Sequence, residues 1–446
     1  MSESTHLKKN LGLGDVMGIA LGQVIGSGIM TMTGIGIQMS GSGVTLAYII
    51  SSLLGIIAMS PIAILGGTLP TTGGLYKYTS RLLSPKIGVF WLCMFTLMQI
   101  TLAMYAISFA QYLQGVLPEA PITPIAFSLL TLLFIVNLVG VKTASIINKW
   151  MVIILILSLS CFVVFGLPKV DYTVFQPETM FPAGFTGFFT AIGLVGFATG
   201  GAQFVAELGG EMKNPRRDLP IVIIGSTVLI GFFYALIAAV AVGVLPIEQV
   251  AGQPLTAVAN EVLPKPVFVI FIVGGAMFAL ATTLNATFTW VTKSLYVATQ
   301  DGVLPKKLGA VNEKFGTPHW LLTIFYIIGA VPILTNVSLN VVAQLGTSLS
   351  LIVFMFPVVA AGRLPKLYPE AYANAPIKLP PALLKTLIGI SVVLLLAETY
   401  LLITDLETHY IIGSIAYVIL AALFAAFSDK ITGFSIKNTN ILEDDI

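Results

Sequence analysis

The chain has 446 residues, of which 57% are hydrophobic and only 9% charged, and its formal net charge is +2. Because a soluble domain carries about 25% charged residues, this composition excludes a water-soluble globular protein and indicates a protein with lipid as its solvent. The small net charge also argues against nucleic acid as a partner. The N-terminal stretch MSESTHLKKNLGLGD lacks the layout of a cleaved signal peptide, so we expect the first apolar segment to be retained as a span.

Apolar windows of about 20 residues, long enough to cross a membrane, recur along the whole chain. They predict an all-α membrane protein with about twelve transmembrane helices, at 14–39, 43–67, 88–115, 122–141, 150–167, 184–208, 220–245, 266–298, 320–336, 339–361, 384–404 and 410–428. With the N-terminus in the cytoplasm, nearly all of the 22 Lys and Arg residues fall on the cytoplasmic side. The positive-inside rule therefore places both termini in the cytoplasm.

The first span contains VIGSGIM, in which two glycines flank Ser27 at membrane depth. Taken alone, such a patch is also typical of close helix packing. A second Gly-rich interruption, GLVGFATGGAQFVAELGG, lies in the sixth span at 193–210. The sixth span crosses in the direction opposite to the first, so the paired interruptions predict an inverted-repeat transporter with its site at the breaks.

Electrostatics of the broken helices indicates the kind of ligand. A break exposes N–H groups at the start of one half-helix and C=O groups at the end of the other, and lipid cannot satisfy either. The first end attracts an anion and the second a cation. A carboxylate and an ammonium on one small molecule would satisfy both ends, so the breaks predict an amino acid as the substrate.

Four ordered motifs resemble the amino acid–polyamine–organocation (APC) superfamily over nearly the whole chain. They are IGSGIM, LPTTGGLYKYTSRLLSPKIGVF, GFATGG followed by EMKNPRRDLP, and SLYVATQDGVLPKKLGAVNEKFGTPHW. The resemblance implies a leucine-transporter-type fold with broken helices 1 and 6. It divides the chain into a tail at 1–13, a first inverted repeat at 14–167, a second at 184–361, two accessory helices at 382–428 and a tail at 429–446.

Within the superfamily the chain is most similar to the L-type amino acid transporter branch, through FATGG. This likeness implies that the substrate carboxylate meets the N–H groups of Ser27, Gly28 and Ile29. The ammonium would meet the carbonyls of Val24, Phe197 and Gly200, with Phe197 as the gate. The full set of substrate-binding residues implied in this way is Val24, Ile25, Gly26, Ser27, Gly28, Ile29, Phe197, Ala198, Thr199, Gly200, Gln203 and Asn285. For Asn285 an interhelical hydrogen bond is an equal alternative.

Polar residues within the spans bear on charge and coupling. Gln203 stands where arginine and polyamine antiporters have Glu, which favours neutral substrates. Glu207 and Lys293 are candidates for gating or coupling, or for a structural pair with each other, whereas Glu398 in an accessory helix is expected to serve packing or oligomerisation. Leu155 aligns with a fifth-helix Lys of sodium-independent relatives, so the coupling mechanism is open. Hydroxyls in the eighth span keep a sodium site conceivable, at Thr282, Thr283 and Thr287.

Together these features predict a transporter of small to medium neutral L-amino acids in the plasma membrane, working by alternating access and as an exchanger. A proton- or sodium-coupled symporter of amino acids or amines is one alternative, and a membrane sensor that binds without transport is another. The scattered His residues show no metal-ligand spacing, and no enzymatic motif, cofactor or metal is expected. The sequence does not address a homodimer or a single-pass ancillary subunit.

Overall fold

A computed structural model of the protein describes residues 9–114, 117–176, 180–182, 184–404, 408–432 and 441. The predicted tails at 1–13 and 429–446 therefore lie largely outside the described residues. So do the side chains of Ser27, Thr31, Phe197 and Asn340, and those at 401–404 and 431–432. The described part of the chain consists of helices joined by turns and loops, with two isolated β-bridges, Leu11–Met212 and Thr72–Leu208, and no strand.

The longer helices follow one another along the whole described chain. In order they are α1 Leu13–Val24, α2 Ser27–Ser40, α3 Val44–Thr68, α4 Gly74–Leu82, α5 Pro85–Met98, α6 Thr101–Gln114, α7 Ile122–Leu138, α8 Val141–Gly166, α9 Gly184–Thr199, α10 Pro215–Gly243, α11 Lys265–Ile270, α12 Phe278–Trp290, α13 Thr292–Gln300, α14 His319–Leu334, α15 Leu339–Ala360, α16 Pro381–Thr404 and α17 Thr408–Thr432. A π-helical segment, Phe271–Met277, joins α11 to α12.

Short helical turns make the remaining connections. They are Gly41–Gly43, Leu167–Lys169, Tyr172–Phe175, Ala202–Glu207, Gly209–Glu211, Ile247–Val250, Thr256–Val262, Lys306–Gly309, Ala361–Arg363, Leu364–Leu367 and Pro369–Ala373. Within the described residues, eight helical segments are long and apolar enough to cross a membrane, and four shorter apolar helices accompany them. This confirms the predicted all-α membrane protein.

The helix of the fifth span begins at Val141 rather than at 150, so the predicted boundary there is wrong. The hydropathy window stopped at the polar residues of its first turns, which the structure uses for contacts with α1. Lys142 Nζ lies 2.6 Å from Asp15 Oδ2, and Asn148 Nδ2 donates to the Gly18 carbonyl at 3.0 Å. Polar side chains that pack against another helix do not have to end a span.

Both predicted interruptions are present. α1 ends at Val24 and α2 begins at Ser27, and α9 ends at Thr199 before the 3₁₀ segment Ala202–Glu207. The first break lies at 25–26, within the VIGSGIM stretch and just before Ser27. There the Gly26 N–H donates back to the Val24 carbonyl at 2.8 Å, and Gly26 takes an extended backbone conformation that ends the helix.

The packing places the two breaks at the centre of the bundle. α9 packs on α2 and α3, α10 packs on α3, and α12 packs on α1 and α8. The apolar windows of the last two helices, α16 and α17, are only 22% and 17% buried, so these helices lie at the lipid-facing periphery. α16 nevertheless contacts α3 and α15 along one side.

Candidate substrate site at the two helix breaks

The two breaks meet at one cavity of about 110 Å³. This volume is well above the roughly 10–15 Å³ that a single water needs, so a small organic molecule can enter. The implied substrate-binding residues among its lining are Val24, Gly26, Gly28, Ala198, Thr199, Gly200 and Gln203. The structure therefore brings most of the implied set together around one space.

At the first break, side chains contact some of the backbone carbonyls at the end of α1, whereas the start of α2 is not capped. Thr283 Oγ1 donates to the Gly22 carbonyl at 2.8 Å, and the Tyr234 hydroxyl lies 3.5 Å from the Val24 carbonyl. The N-cap residue of α2 is Gly26, which has no side chain with which to cap the helix N-terminus. Free N–H groups at a helix start carry partial positive charge, so this end of the cavity suits an anion.

At the second break Gly201 has φ +124°, a conformation that favours glycine. Gln203 Oε1 accepts a hydrogen bond from the Gly201 N–H at 3.1 Å, so the side chain caps the segment that follows. Thr199 Oγ1 donates to the Gly196 carbonyl at 3.1 Å and lies 3.3 Å from Ser51 Oγ. Gln203 and Thr199 are therefore neutral polar groups that short-range hydrogen bonds hold in place at this break.

Gly28 lines the cavity and also lies where two helices touch. A Cβ atom at Gly28 would lie 2.6 Å from Cβ and 2.8 Å from Cα of Ala198. Glycine is therefore needed because α2 and α9 touch there, and a larger residue would separate the helices before it filled the cavity. Ile25 and Ile29 are buried in the core, 1% and 0% exposed, and neither is among the cavity-lining residues.

Asn285 does not line the cavity, which corrects its assignment as a substrate contact. Its Nδ2 donates to the Ala144 carbonyl at 2.9 Å and to Asn148 Oδ1 at 3.1 Å. Its Oδ1 accepts from Asn137 Nδ2 at 2.8 Å. These bonds use the amide to hold α12 against α7 and α8, so Asn285 is an interhelical residue.

Glu207 and Lys293 lie outside the cavity, on the side of the protein where α1 begins. Glu207 accepts hydrogen bonds from the Leu75 N–H at 3.0 Å and from Ser294 Oγ at 2.7 Å. Lys293 pairs with Glu211 at 2.7 Å, so the expected structural pair between Glu207 and Lys293 is wrong. Glu211 follows Glu207 by one helical turn and takes the cation instead.

Further ion pairs lie on the same side. Arg81 binds Asp301 through two hydrogen bonds of 2.8 and 2.6 Å, and Lys142 binds Asp15 at 2.6 Å. Backbone bonds join the same segments, such as Gly73 N–H to the Glu207 carbonyl at 3.0 Å. We call this set the α1-side network, with the members Asp15, Lys142, Arg81, Asp301, Glu207, Ser294, Glu211 and Lys293. It ties the start of α1 to α4, α8, α13 and the segment after the second break.

The model of one protein family, described as amino acid permease, matches residues 11–427. The chain belongs to the amino acid permease family. This places it in the APC superfamily, among membrane transporters rather than enzymes.

Several curated relatives of the permease are amino acid transporters with different substrates. A branched-chain amino acid permease of Bacillus subtilis is 28% identical over 71% of this chain and 73% of its own length. A serine/threonine exchanger of the same organism is 26% identical over 73% of this chain and 76% of its own. Cationic amino acid transporter 1 of Arabidopsis thaliana is also 26% identical, over 80% of this chain and 62% of its own.

The fifth span contacts α1 through an amide in this permease. Leu155 is fully buried and does not line the cavity, whereas Asn148 bonds to the Gly18 carbonyl.

The hydroxyls of the eighth span form hydrogen bonds within the protein. Thr282 Oγ1 donates to the Ala279 carbonyl, and Thr287 Oγ1 lies 3.2 Å from Gln23 Oε1. The described residues hold no group of three or more His, Cys, Asp or Glu suited to a metal ion.

Gln23 and Glu398 are among the cavity residues that the sequence analysis missed. Gln23 Oε1 accepts from Trp290 Nε1 at 3.0 Å and holds the end of α1 against α12. Glu398 reaches the same cavity from α16, although an accessory helix was expected to serve packing. Their polarity could have identified them in the sequence. Both are hydrogen-bonding side chains in apolar segments, and such side chains usually face the interior of the bundle.

Proposed function

We propose that this permease moves small to medium neutral L-amino acids across the plasma membrane by alternating access. The observation that carries the proposal is the cavity at which the uncapped start of α2 meets the end of α9. The substrate carboxylate would accept from the N–H groups of Ser27, Gly28 and Ile29. The ammonium would donate to the carbonyls of Val24, Phe197 and Gly200, so that opposite helix ends bind the two charges.

Selection for neutral side chains is supported by the lining of the breaks. Gln203, Thr199 and Gln23 are polar but uncharged, and a cationic side chain among them would lose several kcal/mol of hydration unless it reached Glu398, the one carboxylate of the described lining. The relatives include both a branched-chain and a cationic transporter at similar identity. The lining therefore supports the neutral class more strongly than the relatives do.

Alternating access requires the α1-side network to open when the cavity faces the cytoplasm. Under this proposal both termini are cytoplasmic, the repeats 14–167 and 184–361 rock against each other, and the Phe197 region closes over the substrate. Glu207 and Lys293 act in gating as members of the network. The likeness of FATGG to the L-type branch supports the same reading.

Three modes of action differ in what the cavity must contain. Exchange of one amino acid for another, the mode expected from sequence, needs only the two breaks. Proton-linked uptake needs a titratable group in the cavity, and Glu398 is such a group. A sensor would bind the same amino acid without moving it.

The test is uptake of labelled leucine by purified protein in proteoliposomes, with and without internal substrate. We expect unlabelled alanine and leucine to compete at least about a hundredfold better than arginine, lysine or putrescine, equivalent to about 2.8 kcal/mol. Equal competition by arginine would contradict the neutral class, and binding without uptake would identify a sensor.

A cavity-filling variant locates the site. A Cβ at Gly55 would meet only Thr199 Oγ1 and Thr227 Cγ2, both at 4.0 Å, so Gly55→Val extends into the cavity without a clash. We expect leucine affinity to fall about tenfold, more than alanine affinity, since one or two methylenes are worth about 1–3 kcal/mol. Unchanged affinity for both would place the site elsewhere.

A further inference from the structure

Glu398 lies on the protein-facing side of the peripheral helix α16. Leu384, Ser391 and Leu395 are 1%, 0% and 1% exposed, and their helical spacing continues to Glu398, seven residues after Ser391. Ser391 Oγ donates to the Ile57 carbonyl at 3.0 Å, which fixes this stripe against α3. The carboxylate of Glu398 is therefore directed into the bundle and away from lipid.

The carboxylate lies beside the last turn of α9, next to the second break. A Cβ on Gly196 would be 3.2 Å from Glu398 Oε1 and 3.4 Å from Ser51 Oγ. Ser51 in turn lies 3.3 Å from Thr199, the residue that ends α9. Glu398 thus forms part of the cavity wall, within a hydroxyl-bearing region continuous with the proposed substrate site.

Glu398 is the one carboxylate in the described lining of the cavity, and the lining contains no Lys, Arg or His. Among the described residues it makes no hydrogen bond or ion pair, since its oxygens face the cavity. The other ionisable lining residue is Tyr105, a neutral phenol at physiological pH. An ionised Glu398 would therefore have no counter-charge at membrane depth, which costs several kcal/mol.

The helices packed around Glu398 supply no counter-charge either. α9 and α15 contain no ionisable residue, and the one in α3 is Tyr48, whose hydroxyl is 2.9 Å from Thr33 Oγ1. On α10 the charged residues Arg216, Arg217 and Asp218 lie in the first turn, about 20 Å of helix before Gly231, which packs on Ser52, and the buried Tyr234 faces the Val24 carbonyl. Arg363 follows Gly362, which lies against Ile388, ten residues or about 15 Å of helix before Glu398.

We propose that Glu398 is the proton-binding group of this permease and makes its transport proton-linked; this inference rests on the proposed function. The carboxylate takes a proton from water on one side, crosses the cycle as a neutral carboxyl with the substrate bound, and releases the proton to water on the other side. No bond of the substrate changes. The protonated form leaves the cavity uncharged, so a carboxylate in the wall is compatible with selection for neutral amino acids.

The experiment compares wild-type protein, Glu398→Gln, Glu398→Asp and Glu370→Gln in proteoliposomes. Glu370 is an exposed carboxylate on a short helix and serves as the matched control. Leucine uptake is measured with and without an acidic exterior, and counterflow is measured with preloaded leucine at equal pH. We expect the pH gradient to raise wild-type accumulation about tenfold, Glu398→Gln to lose this response, and Glu370→Gln to behave as wild type in both assays.

Other outcomes overturn the inference. One is wild-type uptake that does not respond to the pH gradient, and another is a Glu398→Gln variant that still responds to it. A third is a Glu398→Gln variant that loses only the competition by arginine, which would mean that the carboxylate binds a charge of the substrate. If Glu398→Gln loses counterflow as well, the pH profile of Glu398→Asp decides: a shifted profile supports a proton site and an unchanged one contradicts it. Absence of any amino acid transport by wild type would instead contradict the proposed function.

Discussion

At the helix breaks the polar lining consists of backbone groups, amides and hydroxyls, with Glu398 at one wall. In the α1-side network, four carboxylates each have a cation or N–H donor within 3.0 Å. The first region uses helix ends to offer partial charges to a ligand that comes and goes. The second uses full charges that satisfy one another. Charged groups with permanent partners are suited to holding one side of the protein closed. Helix ends whose partial charges have no partner are suited to binding a ligand.

The largest effect is expected from removing a charge from the α1-side network. Lys293 is fully buried and pairs with the nearly buried Glu211, so Lys293→Met leaves a carboxylate without a partner. We expect a loss of about 3–5 kcal/mol, measured as a lower Tm in detergent, and recovery of most of it in Lys293→Met with Glu211→Met.

The half-exposed pair of Lys142 with Asp15 is the matched control, because its distance is similar but Lys142 is 46% exposed. Lys142→Met should cost about 0–1 kcal/mol. Equal losses in the two single variants would show that burial does not set the strength of the network.

A smaller effect is expected where the two broken helices touch. Gly28→Ala would place a methyl 2.8 Å from the Ala198 backbone, which should lower stability by about 1–3 kcal/mol and weaken leucine binding as α2 shifts. Gly225→Ala on α10 is the control, because its Cβ meets nothing within 4 Å. A Tm for Gly28→Ala as high as that of Gly225→Ala would argue against the close approach.

The smallest effect concerns charge at the second break. Gln203→Glu retains an acceptor for the Gly201 N–H and adds a negative charge to the cavity. We expect the preference for leucine over arginine to narrow about tenfold, or 1.4 kcal/mol, in competition assays. Gln38→Glu adds the same charge at an exposed site and should leave the preference unchanged. An equal change of the leucine preference in both variants would indicate an effect of the protein's net charge rather than of a charge in the cavity.

Local features of the sequence predicted the helical spans and the two breaks, because long apolar runs and paired glycines act through the neighbouring backbone alone. The partners of Asn285 and Lys293 depend on how the helices of the eighth span are rotated. The π-helical segment Phe271–Met277 holds an extra residue per turn and shifts that rotation, so a sequence likeness alone could not decide between a substrate contact and an interhelical hydrogen bond for Asn285. The contact of Gly28 with Ala198 depends on where two helices cross, which no local pattern encodes.

The eighth span runs from Lys265 to Gln300, 36 residues, or about 54 Å of helix against a hydrocarbon core of about 30 Å. Its middle touches the end of α1 through Thr283, and its far end carries Lys293 and Ser294. At Val291 the i→i−4 bond to Thr287 is intact at 2.9 Å. Under the proposed alternating access, a small tilt of this continuous span at the ligand would move Lys293 and Ser294, some 15 Å away, without any side chain between them having to relay it.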